Sequence, residues 1–212
     1  MNITVVGSGV VGRTVASGFS SHGHHVTLSS RTPEELADWS AETGIAVLLP
    51  QDALNGAEVI INATPGIASI EALTGAALGD AGNVIVLDLC NPLDHSQGFP
   101  RLSTGADESM SETIQAAFPD ARVVKTLNTV NAGIMTNPGS LPEPTVQFIC
   151  GNEEAAKKTV IGLLNGVGWE PDQILDLGDL TAARDTEHYV ILWVRLMMRL
   201  GTAEFNLRLV RN

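Results

Sequence analysis

A run of mostly β-branched residues, Asn2-Ile3-Thr4-Val5-Val6, passes directly into Gly7-Ser8-Gly9-Val10-Val11-Gly12 and then into a helical pattern. No other feature restricts the fold of this chain as strongly. In a strand–turn–helix unit of this kind Gly7 permits the tight turn off the strand, Gly9 lets the backbone approach a pyrophosphate, and Gly12 lets the helix pack on the sheet. The helix start adds amide donors and a partial positive charge. Gly7, Ser8, Gly9, Val10, Val11 and Gly12 therefore read as a dinucleotide-binding turn.

The remaining pattern alternates between strand and helix. Strands are legible at 2–6, 25–29, 46–49, 58–63, 83–88, 122–127 and 145–150, with helices near 10–22, 33–43, 66–77, 108–118 and 153–166. Val59-Ile60-Ile61 and Val84-Ile85-Val86-Leu87 are continuously apolar, as strands covered by helices on both faces are. The expected fold is α/β, a Rossmann-type doubly wound parallel sheet with a small helical C-terminal lobe. The boundary falls softly near residue 130, giving a nucleotide-binding domain over 1–130 and a lobe over 131–212 that packs on the sheet.

A site selective for NAD would place Asp or Glu at the end of the second strand to hold the ribose 2′-hydroxyl. Here the chain reads Ser29-Ser30-Arg31-Thr32. Hydroxyls and a guanidinium suit a dianionic 2′-phosphate, which points to NADP(H). Ser30 or Thr32 would also cap the helix that opens at Pro33-Glu34-Glu35, a reading compatible with the phosphate role. Because ligands of such sheets bind beyond the carboxyl ends of the strands, Ala63-Thr64-Pro65 is placed along the nicotinamide-side phosphate and ribose. Asn91 and Asn128 can offer amides to a carboxamide or a flat heterocycle, or serve as turn residues.

A formal net charge of −12 argues against nucleic acid or an anionic membrane as partner. Ile3 already lies in the first strand and leaves no room for a leader, so the cytoplasm is the expected compartment. Cys90 and Cys150 sit near the ends of apolar runs, where inert buried thiols are common, and no cluster suggests a metal. His22, His24 and His25 lie at a helix-to-strand corner and read as solvated surface. The stretch His188–Leu200 is apolar nearly all round but interrupted by Arg195 and Arg199, too short and charged to span a bilayer. It reads as buried, preferentially as a homodimer seam.

No catalytic side chain is evident. The one tyrosine, Tyr189, is followed four places later by Trp193, which excludes the Tyr-x-x-x-Lys chemistry of short-chain dehydrogenases. With no buried partner to tune it, Lys125 reads as a cap or a surface ion pair before a general acid. The long connection Pro92–Asp107 would either form a lid, with Phe99 over an acceptor ring and Arg101 or His95 meeting an anionic group, or pack as a variable loop.

Together, the glycine turn, Gly23 to Arg31 with its Ser30-Arg31 ending, Ala63-Thr64-Pro65 and Val124-Lys125-Thr126-Leu127-Asn128-Thr129 resemble the NADP oxidoreductase family that reduces the deazaflavin coenzyme F420. The cytosolic domain of six-transmembrane ferric reductases is similar. The resemblance implies hydride passed between NADPH and a flat acceptor stacked on the nicotinamide, in a dimer. It makes Asn91, Pro92 and Leu93, with Asn128, Thr129 and Asn131, the wall of a small-molecule acceptor pocket. The chain departs from the family in having Thr32-Pro33-Glu34-Glu35 where further basic residues are common. It also offers a polyanionic tail just Arg101 and His95 in the segment 91–112, against Asp94, Asp107, Glu108 and Glu112. A flavin, quinone or ferric acceptor, or a non-catalytic NADPH sensor, would use the same glycine turn.

Overall fold

Val59–Asn62 and Ile85–Asp88 are buried at every residue, because successive side chains enter cores on opposite faces of one sheet: Ile61 packs with one cluster and Ile60 with the other. The computed structural model describes residues 1–210. Its strands are β1 (Asn2–Val6), β2 (His25–Ser29), β3 (Ala46–Leu48), β4 (Val59–Asn62), β5 (Ile85–Asp88), β6 (Leu93–Asp94), β7 (Arg101–Leu102), β8 (Arg122–Thr126), β9 (Gln147–Gly151) and β10 (Ile174–Asp176). The helices are α1 (Val10–Ser21), α2 (Ala37–Thr43), α3 (Pro50–Ala53), α4 (Ser69–Gly75), α5 (Met110–Ala117), α6 (Ala132–Met135), α7 (Glu154–Gly166) and α8 (Ala183–Leu200).

Eight strands form one sheet in the order β10-β9-β8-β5-β4-β1-β2-β3, and β6 and β7 pair as a separate antiparallel hairpin. From β3 to β8 the neighbours are parallel. The order reverses at β1, whose neighbours are β2 and β4, and a crevice therefore opens beyond the ends of β1 and β4.

The far edge departs from the all-parallel expectation. β9 runs antiparallel to β8, with Thr126 opposite Ile149 and Val124 opposite Gly151. A parallel strand needs a crossover that returns the chain to the starting edge. Residues 127–146 hold just the four-residue α6 and a short 3-10 turn, so the chain re-enters the sheet from the end it left. α7 then supplies a true crossover, and β10, a strand of three residues not anticipated from the sequence, lies parallel to β9. Residues 147–151 and 174–176 thus extend the sheet begun before residue 130; the last two residues of 131–212 lie outside the described ones. The helices expected at 33–43 and 66–77 each open with a 3-10 turn, and α8 starts five residues before the apolar stretch that signals it.

Gly12 fixes how α1 meets β1: a Cβ there would stand 1.7 Å from the Gly7 carbonyl oxygen. Gly12→Ala is expected to lower stability by about 3 kcal/mol, since backbone and not a flexible side chain must move. A melting temperature equal to that of the wild type would contradict this packing.

Candidate functional site

The turn after β1 is shaped by two contacts and one gap. Gly7 has φ +116°, and a Cβ there would lie 2.7 Å from the Ala63 carbonyl oxygen, so the ends of β1 and β4 approach as closely as backbone allows. Gly9 is different: a Cβ would meet nothing within 4 Å, yet Gly9 lines the cleft. Packing does not demand a glycine at that position. Gly9 is the N-cap of α1 with no side chain bonded to the first-turn amides, and that turn carries no acidic residue. Open space in front of free amide donors is the cradle a pyrophosphate requires, so the turn fits the dinucleotide that the sequence implies.

A cleft of about 980 Å³ runs from this turn across the strand ends to α8. It brings together Gly7 to Val11, Ser29 to Arg31, Ala63 to Pro65, Asn91, Leu93, Asn128 and Asn131. Four of the sequence candidates do not line it. Gly12 packs on Gly7, Pro92 backs onto Gly66, Thr129 is buried, and the Thr32 hydroxyl donates to Glu35 Oε2 at 3.0 Å. Ser30 caps no helix: its hydroxyl donates to Ser8 Oγ at 3.1 Å and accepts the Thr32 amide at 3.2 Å, tying the two ligand-facing turns together. Arg31 is exposed on the cleft and forms no ion pair among the described residues.

Behind the cleft, below the ends of β4 and β5, lies a buried group of charges. Lys125 is 1 % exposed, not a cap or a surface ion pair. Its Nζ donates to Asp88 Oδ2 at 2.9 Å, Glu187 Oε1 at 2.8 Å and the Cys90 carbonyl at 2.6 Å. Asp88 also accepts from Ser111 Oγ, Asn62 Nδ2 and the Cys90 amide. Glu187 accepts the amides of Met110 and Ser111, the first turn of α5, where the helix dipole favours the extra negative charge. Burial pushes the Asp88 carboxyl up, but the charge of Lys125 and the hydrogen bonds from Ser111, Lys125 and Cys90 outweigh it and hold the group below the usual carboxylate range. Lys125 is held protonated well above its ordinary range: burial opposes the charge and the carboxylates overcome it.

This ion group was missed from sequence, although a signal existed. Asp88 and Lys125 are the only charges in the last four residues of β5 and β8, and they are register partners. Glu187 supplies the second carboxylate from α8, and Arg184 forks onto Glu112 of α5 at 2.8 and 2.6 Å. The same network reaches the cleft floor, because Asn62 Oδ1 accepts the Thr64 hydroxyl at 2.7 Å.

Asn91 and Asn128 lock each other. Asn128 Nδ2 donates to Asn91 Oδ1 and to the Thr186 carbonyl, and Asn91 Nδ2 donates to the Asn128 carbonyl. Leu127, a buried residue at φ +63°, makes the turn that carries Asn128 into this pairing, a conformation costly for a branched side chain and typical of functional sites. The connection 92–107 folds as the β6–β7 hairpin, and the Arg195 guanidinium lies 3.9 Å over the Phe99 ring. Phe99 therefore packs on α8 and does not line the cleft. Val190, Trp193 and Val194 of α8 do, and none of the three was anticipated as lining. Cys90 and Cys150 are both buried and free, with burial pushing the Cys150 thiol up to about 12. His22 and His25 are exposed, and His24 sits edge-on to Phe19.

Comparison with known proteins gives the family. Residues 2–92 match the family described as NADP oxidoreductase, coenzyme F420-dependent. A solved structure from Arthrobacter sp. FB24, provisionally named an F420-dependent NADP-reductase, is 41 % identical over 100 % of both chains with a TM-score of 0.94. The chain belongs to this family. It is thus an NADP-dependent oxidoreductase. A hypothetical protein from Sinorhizobium meliloti is 27 % identical over 86 % of this chain and 87 % of its own (TM-score 0.67). A reductive aminase from Aspergillus terreus, 18 % identical over 94 % of this chain and 62 % of its own (TM-score 0.67), shares the fold. No curated protein matches the chain.

In this NADP oxidoreductase, Lys125→Met is expected to cost about 3–5 kcal/mol by urea denaturation, because two carboxylates stay buried without their cation. The sign with pH is also fixed. Burial then acts on Asp88 without its main opponent, so its folded pKa rises and the native state binds the extra proton. The deficit of the variant against wild type shrinks as pH falls from about 7.5 to 5. A deficit below about 1 kcal/mol, the worth of a surface pair, would contradict the assignment.

Proposed function

We propose that this NADP-dependent oxidoreductase passes hydride from NADPH to a flat conjugated acceptor, the deazaflavin coenzyme F420. The observation that carries this reading is the lining of the cleft. Among the described residues its only charged lining side chains, Arg31 and Glu71, lie outside the acceptor end, which is walled by Leu89, Leu93, Val130, Val190, Trp193 and the locked pair Asn91–Asn128. An uncharged, flat-walled space suits a ring stacked on a nicotinamide, where transfer needs orientation more than an acid or base. Gly7 to Val11 hold the pyrophosphate, Ser29, Ser30 and Arg31 hold the 2′-phosphate with Thr32 supporting their turn, and Ala63 to Pro65 follow the nicotinamide-side ribose. Pro92 and Thr129 back the acceptor wall, and Leu93 and Asn131 face it. Arg101, exposed on β7, and Arg195, over Phe99 on the same helix as the lining Trp193, would supply cations for an anionic tail.

A second reading, a riboflavin-type flavin as acceptor, is favoured by the same absence of charge along the wall. The protein works in the cytoplasm, in keeping with two unpaired thiols, and as a homodimer through α8. Leu192, Met198 and Leu200 of that helix are 54 %, 65 % and 56 % exposed. Light scattering on purified protein tests the dimer.

Stopped-flow mixing of the NADPH complex with F420 and with riboflavin tests the acceptor. Rapid oxidation by F420 alone supports the proposal, oxidation by riboflavin as well supports the second reading, and tight NADPH binding with no oxidation by either would contradict both. For the cofactor, Arg31→Ala is expected to lose about 1.5–3 kcal/mol of NADPH affinity with little change for NADH. Equal losses would remove Arg31 from the phosphate. Gly9→Ala is expected to keep the wild-type melting temperature and lose NADPH affinity, since its Cβ enters the cradle and not the core.

A further inference from the structure

The side chain of Asn128 has both donor positions filled and its acceptor left over. The residue is 4 % exposed, and the surface it keeps is on the cleft that it lines. Its Nδ2 places its hydrogens inside the protein, on Asn91 Oδ1 at 3.0 Å and on the Thr186 carbonyl at 3.0 Å. A backbone carbonyl can only accept, so Thr186 identifies the amide nitrogen of Asn128 and leaves Oδ1 as the other atom. Asn91 is settled in the same way, its Nδ2 donating to the Asn128 carbonyl at 2.9 Å. Asn128 Oδ1 accepts from nothing among the described residues, and it is not one of the unpartnered side-chain atoms sealed from solvent. Trp193 Nε1 and Thr129 Oγ1 are sealed in that way, so neither can meet a ligand in the cleft.

The direction of this oxygen is fixed from two sides. Leu127, at φ +63°, sets the turn that carries Asn128. Thr186 immediately precedes Glu187, which Lys125 holds at 2.8 Å in the buried ion group. Asn128 therefore offers the cleft one preoriented carbonyl oxygen and no donor.

The sheet order indicates what reaches it. Neighbouring strands lie about 4.8 Å apart, and the cofactor steps along their ends: 2′-phosphate beyond β2, pyrophosphate beyond β1, ribose beyond β4. The next strand in that order is β5, and β8 pairs with it. A nicotinamide beyond β5 turns its far edge towards Asn128. Its carboxamide carries the only N–H groups of that ring. We infer that Asn128 is a specificity-determining residue for the cofactor, its Oδ1 accepting a hydrogen bond from the nicotinamide carboxamide. This rests on the cofactor placement proposed above and deepens it, because a carboxamide held at one edge fixes which face of the ring is turned to the acceptor wall. A cofactor lacking that N–H leaves the oxygen unpaired and binds less well for that reason.

Calorimetric titration of three cofactors tests the inference without turnover: NADP+, its 3-acetylpyridine analogue, in which a methyl group replaces the carboxamide nitrogen, and thio-NADP+, which keeps the nitrogen and replaces the carbonyl oxygen. The acetylpyridine analogue is expected to bind wild type about three- to tenfold more weakly than NADP+, and thio-NADP+ about as tightly as NADP+. In Asn128→Ala, NADP+ is expected to fall to the level of the acetylpyridine analogue, so that the difference between the two disappears. Should the Ala variant fail to fold, the wild-type comparison decides by itself. Equal affinity of wild type for NADP+ and the acetylpyridine analogue would overturn the assignment, as would a difference that persists in folded Asn128→Ala. A variant that loses affinity for riboflavin and none for NADP+ would give the bond to the acceptor ring and overturn it too. Because the cofactor titrations need no acceptor, their outcome is independent of whether F420 or riboflavin oxidises the NADPH complex.

Discussion

A lysine ammonium with no access to water must find its solvation in the protein, and Lys125 finds it in two carboxylates and a carbonyl drawn from two separate segments. Asp88 arrives at the end of β5, the Cys90 carbonyl two residues further along, and Glu187 from α8, nearly one hundred residues away in sequence. Charges in this position are costly unless every lone pair and proton is matched, and here they are: the surplus negative charge is taken up by the first-turn amides of α5, and the outer oxygens of Asp88 by Ser111, Asn62 and the Cys90 amide. The consequence is positional. With Glu187 fixed, the face of α8 that carries Val190, Trp193 and Val194 lies across the strand ends and walls one end of the cleft.

Two kinds of rigidity meet in this cleft. On the cofactor side it comes from backbone contact, Gly7 against Ala63 and Gly12 against Gly7, which leaves no room for adjustment but keeps a space in front of Gly9. On the side towards α8 it comes from side-chain pairing, the reciprocal amides of Asn91 and Asn128 and the chain of hydrogen bonds from Thr64 through Asn62 to Asp88. Such an arrangement suits the proposed stacking of two rings with no acid or base presented to either, in keeping with the preorganisation that hydride transfer demands.

The half of this site built from local sequence was legible, and the half built from distant pairing was not. Gly7 to Gly12 declare themselves because their spacing falls within one strand–turn–helix unit, although the close contact that Gly7 makes is with Ala63 beyond β4, and Ser30 and Arg31 because their strand has one carboxyl end. Lys125 was misread as surface because its partners are contributed by β5 and α8, and a lone lysine in Arg122–Thr126 gives no hint of them unless the register with Asp88 is already known. The reversal of β9 was hidden for a similar reason: it depends on 127–146 lacking a crossover helix, an absence that strand patterning alone does not register. Trp193 was passed over because an aromatic in an apolar helix reads as core, and only its place on the cleft sets it apart.

The central claim, that the strand ends and α8 hold an acceptor ring against the nicotinamide for direct transfer, is tested most directly by following an isotope. In a single turnover with NADPH carrying deuterium at the transferred C4 position, the F420 product is expected to hold that deuterium on its ring carbon, with one of the two C4 diastereomers donating it throughout. Deuterium released to solvent, or drawn equally from both diastereomers, would contradict a fixed stack in this cleft.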